Sequence, residues 1–194
     1  MRLESEGGAH PVLQRTAVHE AGHAVVGTRL GLTVDSIAIP RSKAEWLSGD
    51  WAGCVQLKVP ERYPPGERDP LGISFMAGYT AEAWFDGGDD LVIAAASLDV
   101  QRPDDIGNTV LALGGLSAFT RSGRLRSAYE VTLRDWVERC QGLVGENWEE
   151  ILHVAQEGLG STIPRRPPTL VDTADAWIEA AVDWYPALRG KGDV

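Results

Sequence analysis

Apolar residues recur with a helical period over positions 11–31, in the segment "PVLQRTAVHEAGHAVVGTRLG". Its apolar side chains fall on adjacent stripes of a helix, whereas polar residues such as Arg15 and Arg29 gather on the remaining side. Proline suits the first turn of a helix, and glycine suits the position that follows the last turn. The pattern therefore predicts a helix that begins near Pro11 and ends at Gly31.

Two short segments have the features of β-strands instead. "VDSIAIP" at 34–40 is rich in β-branched residues, and "AGCVQLKV" at 52–59 alternates Val55, Leu57 and Val59 with more polar positions. Helical patterns return at 71–88, from about 104, from 127 to about 145, at 148–159 and from 169 to Pro186. This order of elements predicts a mainly α-helical fold with a small β-sheet.

Single residues set the expected ends of the later helices. Asn147 and Glu150 have the spacing of a capping box at the start of "WEEILHVAQEGL". Thr169 is expected to cap the last helix, and Pro186 is expected to end it, because proline has no backbone N–H to donate. The stretch 89–103 fits either a short helix or a loop.

Composition and charge narrow the range of partners. The 194 residues are 43% apolar and 24% charged, as in ordinary globular proteins, and their net charge is −10. This charge repels the phosphates of nucleic acids and anionic lipids, so neither is expected as a partner. The sequence has no signal-peptide pattern, no apolar run of about 20 residues and only two cysteines, which indicates a cytoplasmic protein with reduced thiols.

The first predicted helix carries His19 and His23, with Glu20 directly after the first histidine. Residues four apart share one helical face at about 5–6 Å, so both imidazoles can bind one ion. Zinc takes such nitrogens and, in catalytic sites, keeps one position open for water. Glu20 is rotated by about 100° along the helix, which sets it beside the metal, where it can take a proton from metal-bound water.

A chance H-E-x-x-H pentapeptide on a buried helix, with both histidines hydrogen-bonded to protein, is the alternative to a metal site. The surroundings favour the metal, because the stripes through His19, Glu20 and His23 are otherwise apolar. Burying ionisable groups is costly unless their charges are compensated. A divalent cation provides that compensation.

A catalytic zinc site needs a third protein ligand, and the residues alone leave its identity open. The position at which one metalloprotease class has a further histidine is Arg29 in this chain. His10 and His153 are expected to face solvent, so a carboxylate is the better candidate. The carboxylates on suitable predicted helices are Glu82, Asp104 and Asp105.

Several motifs, in order, resemble the peptidase domain of FtsH-type proteases. "TAVHEAGHAVVG" is similar to the zinc-binding helix of that family, and "VDSIAIPR" is similar to its strand ending in Ile-Pro-Arg. "AGYTAEAWFDG" looks like its Gly-x-x-Ala-Glu helix, "DDIGNTVLAL" looks like its Asn-Asp-Leu helix start, and "ENWEEILHVAQEGL" looks like a late helix of the same domain. The resemblance covers about residues 12–160.

This resemblance implies a zincin-like, FtsH-type peptidase fold that binds Zn²⁺. His19, His23 and Asp105 match the family's zinc ligands, so Glu82 becomes a supporting carboxylate that can orient His19 or His23. The family also carries a transmembrane segment and an ATPase module. This sequence has no G-x-x-x-x-G-K-[ST] phosphate loop, so ATP is not expected as a partner. It also has no apolar run of about 20 residues, so a membrane is not expected either.

The domain organisation follows from the same resemblance. Residues 1–11 are expected to form a flexible N-terminus, and residues 12–160 the FtsH-like zinc peptidase domain. Residues 161–194 are expected to form a linker and a C-terminal helix that packs on the same domain. Association into a homo-oligomer stays open.

The leading interpretation is an ATP-independent zinc metallopeptidase that cleaves exposed or unfolded segments of a protein or peptide substrate, with Glu20 activating metal-bound water. The alternative is a non-catalytic, zinc-containing binding or regulatory protein derived from a peptidase fold. Both interpretations predict a metal site, but only the first predicts metal-dependent cleavage that the Glu20→Gln substitution abolishes.

Overall fold

The computed structural model describes residues 10–42, 44, 54–58, 68–87, 104–164 and 173–189. Within these ranges the fold is mainly helical with a two-stranded antiparallel sheet, which confirms the predicted combination of elements. The elements are α1 (Pro11–Arg29), β1 (Thr33–Ala38), β2 (Cys54–Lys58), α2 (Asp69–Asp86), α3 (Asp105–Leu113), a 3-10 turn (Gly115–Ala118), α4 (Ser127–Glu146), α5 (Trp148–Leu159) and α6 (Ala174–Arg189). None of the described helices combines the length and the apolar character needed to span a membrane.

The helix α1 lies in the interior of the described fold. Ala17, Ala21 and Val26 are fully buried, and the helix packs against both α2 and α5. Gly22 allows α2 to come close, since a Cβ atom there would lie 2.7 Å from the carbonyl oxygen of Ala77. Side chains on the middle turns of α1 are therefore held on a rigid, closely packed element.

The small sheet covers one part of α1. β1 and β2 are antiparallel, with Val34 opposite Leu57 and Ile37 opposite Val55. Val55 and Leu57 are half-buried while Gln56 is exposed, which confirms the predicted alternation within Cys54–Lys58. Within the described residues β2 pairs only with β1, so its other edge has no strand beside it.

The C-terminal helix α6 packs into the same hydrophobic core as the earlier helices. Trp177 and Trp184 are buried, and the helix contacts α3 and α4. The prediction that Pro186 ends this helix is wrong, because α6 continues to Arg189. Proline removes one backbone hydrogen bond, but Leu188 lies beyond it and is buried in the core, which holds the last turn.

The predicted capping box at the start of α5 is also wrong. The side chain of Asn147 instead donates from Nδ2 to the carbonyl oxygen of Leu143 at 2.8 Å and accepts from Nε of Arg29 at 2.7 Å. Glu150 forms an ion pair with the same arginine. Both side chains thus join α1 to the α4–α5 corner. The predictions for residues 1–9, for 52–53 and 59 of the second strand segment, for 89–103 and for Thr169 concern positions outside the described residues.

Candidate metal centre

His19 and His23 on α1 meet Asp105 at the start of α3, more than 80 residues later in the chain, and all three line one cleft. Nε2 of His19 lies 3.0 Å from Nε2 of His23, and Oδ2 of Asp105 lies 3.0 Å and 3.2 Å from these two nitrogens. A tetrahedral zinc ion with bonds of about 2.0–2.2 Å separates its ligand atoms by about 3.3 Å. The three donor atoms therefore fit around a zinc ion with only a small outward movement.

The charges of this cluster favour a cation. Burial by itself lowers the pKa of His19, but the hydrogen bond and charge of Asp105, together with Glu82, outweigh burial and raise it well above its ordinary value. Burial also lowers the pKa of His23, but the charge and hydrogen bond of Asp105 outweigh burial, so the net direction is upward. Burial alone raises the pKa of Asp105, but the two histidines outweigh it and the net direction is downward. The carboxylate thus attracts either a proton or a metal ion to the imidazoles.

The ring of His23 is oriented by a hydrogen bond on the side away from Asp105. Its Nδ1 lies 2.7 Å from the carbonyl oxygen of Ser74 on α2. A carbonyl oxygen only accepts, so Nδ1 carries a hydrogen, and in the neutral ring the lone pair of Nε2 faces the cluster. This tautomer is the one that binds a metal, and a backbone carbonyl is a usual outer partner of a ligand histidine.

Glu82 lies beside His19 and not within the cluster. Its Oε2 is 3.7 Å from Nδ1 of His19, on the opposite side of the ring from Asp105. Asp104, the third candidate carboxylate, caps α3 by accepting a hydrogen bond from the backbone N–H of Gly107 at 2.9 Å. The structure therefore brings Asp105 to both histidines, Glu82 to the outer side of one of them, and Asp104 to the helix start.

Gly78, the glycine of the Gly-x-x-Ala-Glu motif, also belongs to this centre, a role that was not predicted from the sequence. A Cβ atom at position 78 would lie 2.4 Å from Nε2 of His23 and 2.5 Å from Nε2 of His19, so only glycine fits. Glycine in a helix interior costs about 1 kcal/mol relative to alanine. That cost was a signal in the sequence, since an interior glycine often marks a close approach of another element.

Glu20 directly follows His19 on α1 and is also buried, with 7% of its surface exposed. Burial raises the pKa of its carboxyl group, and the nearby charges of His23 and His19 oppose this shift. A carboxylate whose pKa is raised toward neutrality is a better proton acceptor than an exposed one. Glu20 thus has the environment of a general base.

A cleft of about 460 Å³ gives access to these side chains. His19, Glu20, His23 and Asp105 line it, β2 contributes Cys54, Val55 and Leu57, and α2 contributes Phe75, Tyr79 and Glu82. The lining of the cleft therefore combines ionisable side chains with apolar ones, and the strand β2 forms part of it.

The two remaining histidines lie outside the centre. His10 is exposed and accepts a hydrogen bond from the backbone N–H of Val12 at the start of α1. His153 is exposed, as predicted, and lies 3.3 Å from Glu157. Among the described residues, His19, His23 and Asp105 are the one group of three potential ligands whose donor atoms lie within 4.8 Å of one another.

Comparison of the chain with protein-family models, curated proteins and solved structures gave no match. The resemblance to FtsH-type peptidases therefore rests on the motifs of the sequence, and the site must be interpreted from its own geometry.

Proposed function

We propose that the protein is an ATP-independent zinc metallopeptidase of the zincin-like, FtsH-type fold, which cleaves peptide bonds in exposed or unfolded segments. The observation that carries the proposal is the convergence of two imidazole nitrogens and one carboxylate oxygen within 3.2 Å of one another, beside a buried glutamate. Three protein ligands with an adjacent carboxylate are the usual composition of a catalytic zinc site.

The donor set favours zinc over the common hard cations. Calcium and magnesium prefer sets made of oxygen atoms, whereas two imidazoles with one carboxylate suit zinc and related transition metals. His19, His23 and Asp105 would hold the ion. When bound, zinc supplies a Lewis acid that polarises a peptide carbonyl and makes a water molecule more acidic.

The other residues supply proton transfer and orientation. Glu20 accepts the proton of the attacking water and then gives it to the leaving amine of the cleaved bond. Its raised pKa, caused by burial, suits both steps, because the group must take up and release a proton near neutral pH. Ser74 fixes the ring of His23 through its backbone carbonyl, so Nε2 of that ring would be available to hold the ion.

The substrate expected for this cleft is an extended peptide. Within the described residues one edge of β2 has no partner strand, and Cys54, Val55 and Leu57 of this strand line the cleft beside the ligands. An extended chain can pair with such an edge through backbone hydrogen bonds, which provide affinity with little dependence on sequence. A cleft of about 460 Å³ admits a chain segment but not a folded domain.

The test is cleavage of an unfolded protein such as casein by the zinc-loaded protein. Wild type should cleave, a chelator should stop cleavage, and added zinc should restore it. The Glu20→Gln variant should keep its zinc but lose at least about 100-fold in turnover, since general-base catalysis contributes 10²–10⁴-fold.

Two results would contradict this assignment. Equal cleavage by wild type and Glu20→Gln would remove the role of Glu20 as the base. Zinc bound at the three ligands without any cleavage would favour the non-catalytic binding or regulatory protein instead.

A further inference from the structure

The two histidines of the centre are oriented by different means. His23 has a hydrogen bond of 2.7 Å from Nδ1 to the carbonyl oxygen of Ser74. The corresponding nitrogen of His19 is 3.7 Å from Oε2 of Glu82, so this carboxylate holds the ring less firmly than a hydrogen bond of normal length would. A second support therefore helps to keep Nε2 of His19 directed at the cluster.

Aromatic contacts provide that support. The ring of Tyr79 meets the ring of His19 edge to face, with centroids 5.0 Å apart and planes at 82°. His23 meets the same ring of His19 in a similar arrangement, with centroids 4.7 Å apart. Edge-to-face pairs are a favourable geometry for aromatic rings, and together these contacts restrict rotation of the His19 ring.

Tyr79 is supported in turn by the C-terminal helix. The ring of Trp177 meets Tyr79 edge to face, with centroids 5.8 Å apart and planes at 81°. Trp177 is only 1% exposed and lies at the start of α6, which packs on α3, the helix that begins with Asp105. One helix thus contacts both the aromatic support of His19 and the helix that carries the carboxylate.

From these contacts we infer that Tyr79 and Trp177 are positioning residues for His19, and that α6 helps to orient a ligand of the metal centre. The inference rests on the proposed metal site but adds an element that lies outside residues 12–160, the region that resembles the FtsH-type peptidases. Trp177 acts through Tyr79, so removing either ring should let the imidazole of His19 rotate, which weakens metal binding while the ligands themselves remain.

The test uses two measurements. Competition with a chelator gives the zinc affinity, and the visible absorption of the Co²⁺-loaded protein reports the ligand geometry without any substrate. Trp177→Ala and Tyr79→Leu should each lower zinc affinity by about 10- to 100-fold, the range for groups that orient ligand histidines, and should change the Co²⁺ spectrum. Trp177→Phe and Tyr79→Phe keep an aromatic ring and should stay near wild type. The double variant Trp177→Ala/Tyr79→Leu should be no worse than Tyr79→Leu alone.

Trp136→Ala is the matched control for loss of a core tryptophan. Trp136 is also 1% exposed, but it packs on Gly72, which precedes Tyr79 by seven residues, about 10 Å along α2. This variant should lose stability without a change in the Co²⁺ spectrum. An equal loss of zinc affinity in Trp136→Ala and Trp177→Ala would show general destabilisation and overturn the inference.

If Trp177→Ala fails to fold, the comparison of Tyr79→Leu with Tyr79→Phe still tests the positioning role of the aromatic ring. Equal zinc affinity in Tyr79→Leu and Tyr79→Phe would contradict a positioning role for the ring. Failure of the proposed function is a distinct result, because it appears in the wild type itself as the absence of zinc binding or of cleavage. A wild type that binds zinc but does not cleave leaves the aromatic test fully applicable.

Discussion

Gly78 has little freedom to change, because it faces the two histidines of the metal centre. The backbone of α2 passes so close to His19 and His23 that a Cβ atom would lie within 2.5 Å of both Nε2 atoms. A methyl group there must displace the imidazoles from the positions in which they face Asp105. The role of this glycine is therefore to leave space, and no ionisable residue in the motif indicates it.

Gly78→Ala should abolish zinc binding or weaken it by more than 100-fold, although alanine is the better helix former. The matched control is Gly142→Ala on α4, where a Cβ atom would have nothing within 4 Å. That control should gain about 0.5–1 kcal/mol in the free energy of unfolding and keep its zinc. Calorimetric zinc titration of both variants checks this, and normal zinc binding by Gly78→Ala would contradict the geometry of the centre.

At the scale of elements, α3 contributes two adjacent aspartates with different tasks. Asp104→Ala should cost about 1 kcal/mol in the free energy of unfolding, through loss of the helix cap, and should keep zinc binding. Asp105→Ala should lose zinc binding, because it removes one of the three donor atoms. Glu82→Gln should weaken zinc binding by no more than about 10–100-fold. A loss in Glu82→Gln as large as that in Asp105→Ala would reverse the assignment of these carboxylates.

Features that depend on a local pattern of residues could be predicted from the sequence. The period of α1 and the spacing of His19 and His23 are local properties, and α1 begins at Pro11 as expected, with Gly31 just beyond its end at a φ of 81°. The predicted end of α6 at Pro186 was wrong because burial of Leu188 outweighs the missing hydrogen bond. The predicted capping box failed because Arg29, more than a hundred residues away, takes both side chains.

The parts of the centre that depend on contacts between distant elements were not accessible in this way. The sequence pattern did not decide which of three carboxylates is the third ligand, because no local feature indicates which part of the other helices approaches α1. Ser74, Gly78 and Trp177 were not recognised, since each matters only through a contact with another helix. Only the family resemblance singled out Asp105, which the structure places beside both histidines. Its role as a metal ligand stays a prediction.

At the scale of the whole molecule, a cleft of about 460 Å³ limits what the proposed enzyme can cut. Without a partner that unfolds substrates, it should cleave disordered segments, exposed loops or short peptides and leave compact domains intact, because stable domains open locally only rarely. Comparing a protein that has an exposed loop with a tightly folded one, with and without ATP, checks this expectation. Complete degradation of the folded protein by the purified chain, or stimulation by ATP alone, would contradict it.

The zinc content of the purified protein tests the central claim most directly. After incubation with zinc and removal of the excess, elemental analysis should find one zinc ion per wild-type chain and essentially none in His19→Ala or His23→Ala, while Glu20→Gln should match wild type. A folded wild-type protein that retains no zinc, or His19→Ala and His23→Ala variants that retain as much zinc as wild type, would contradict the account.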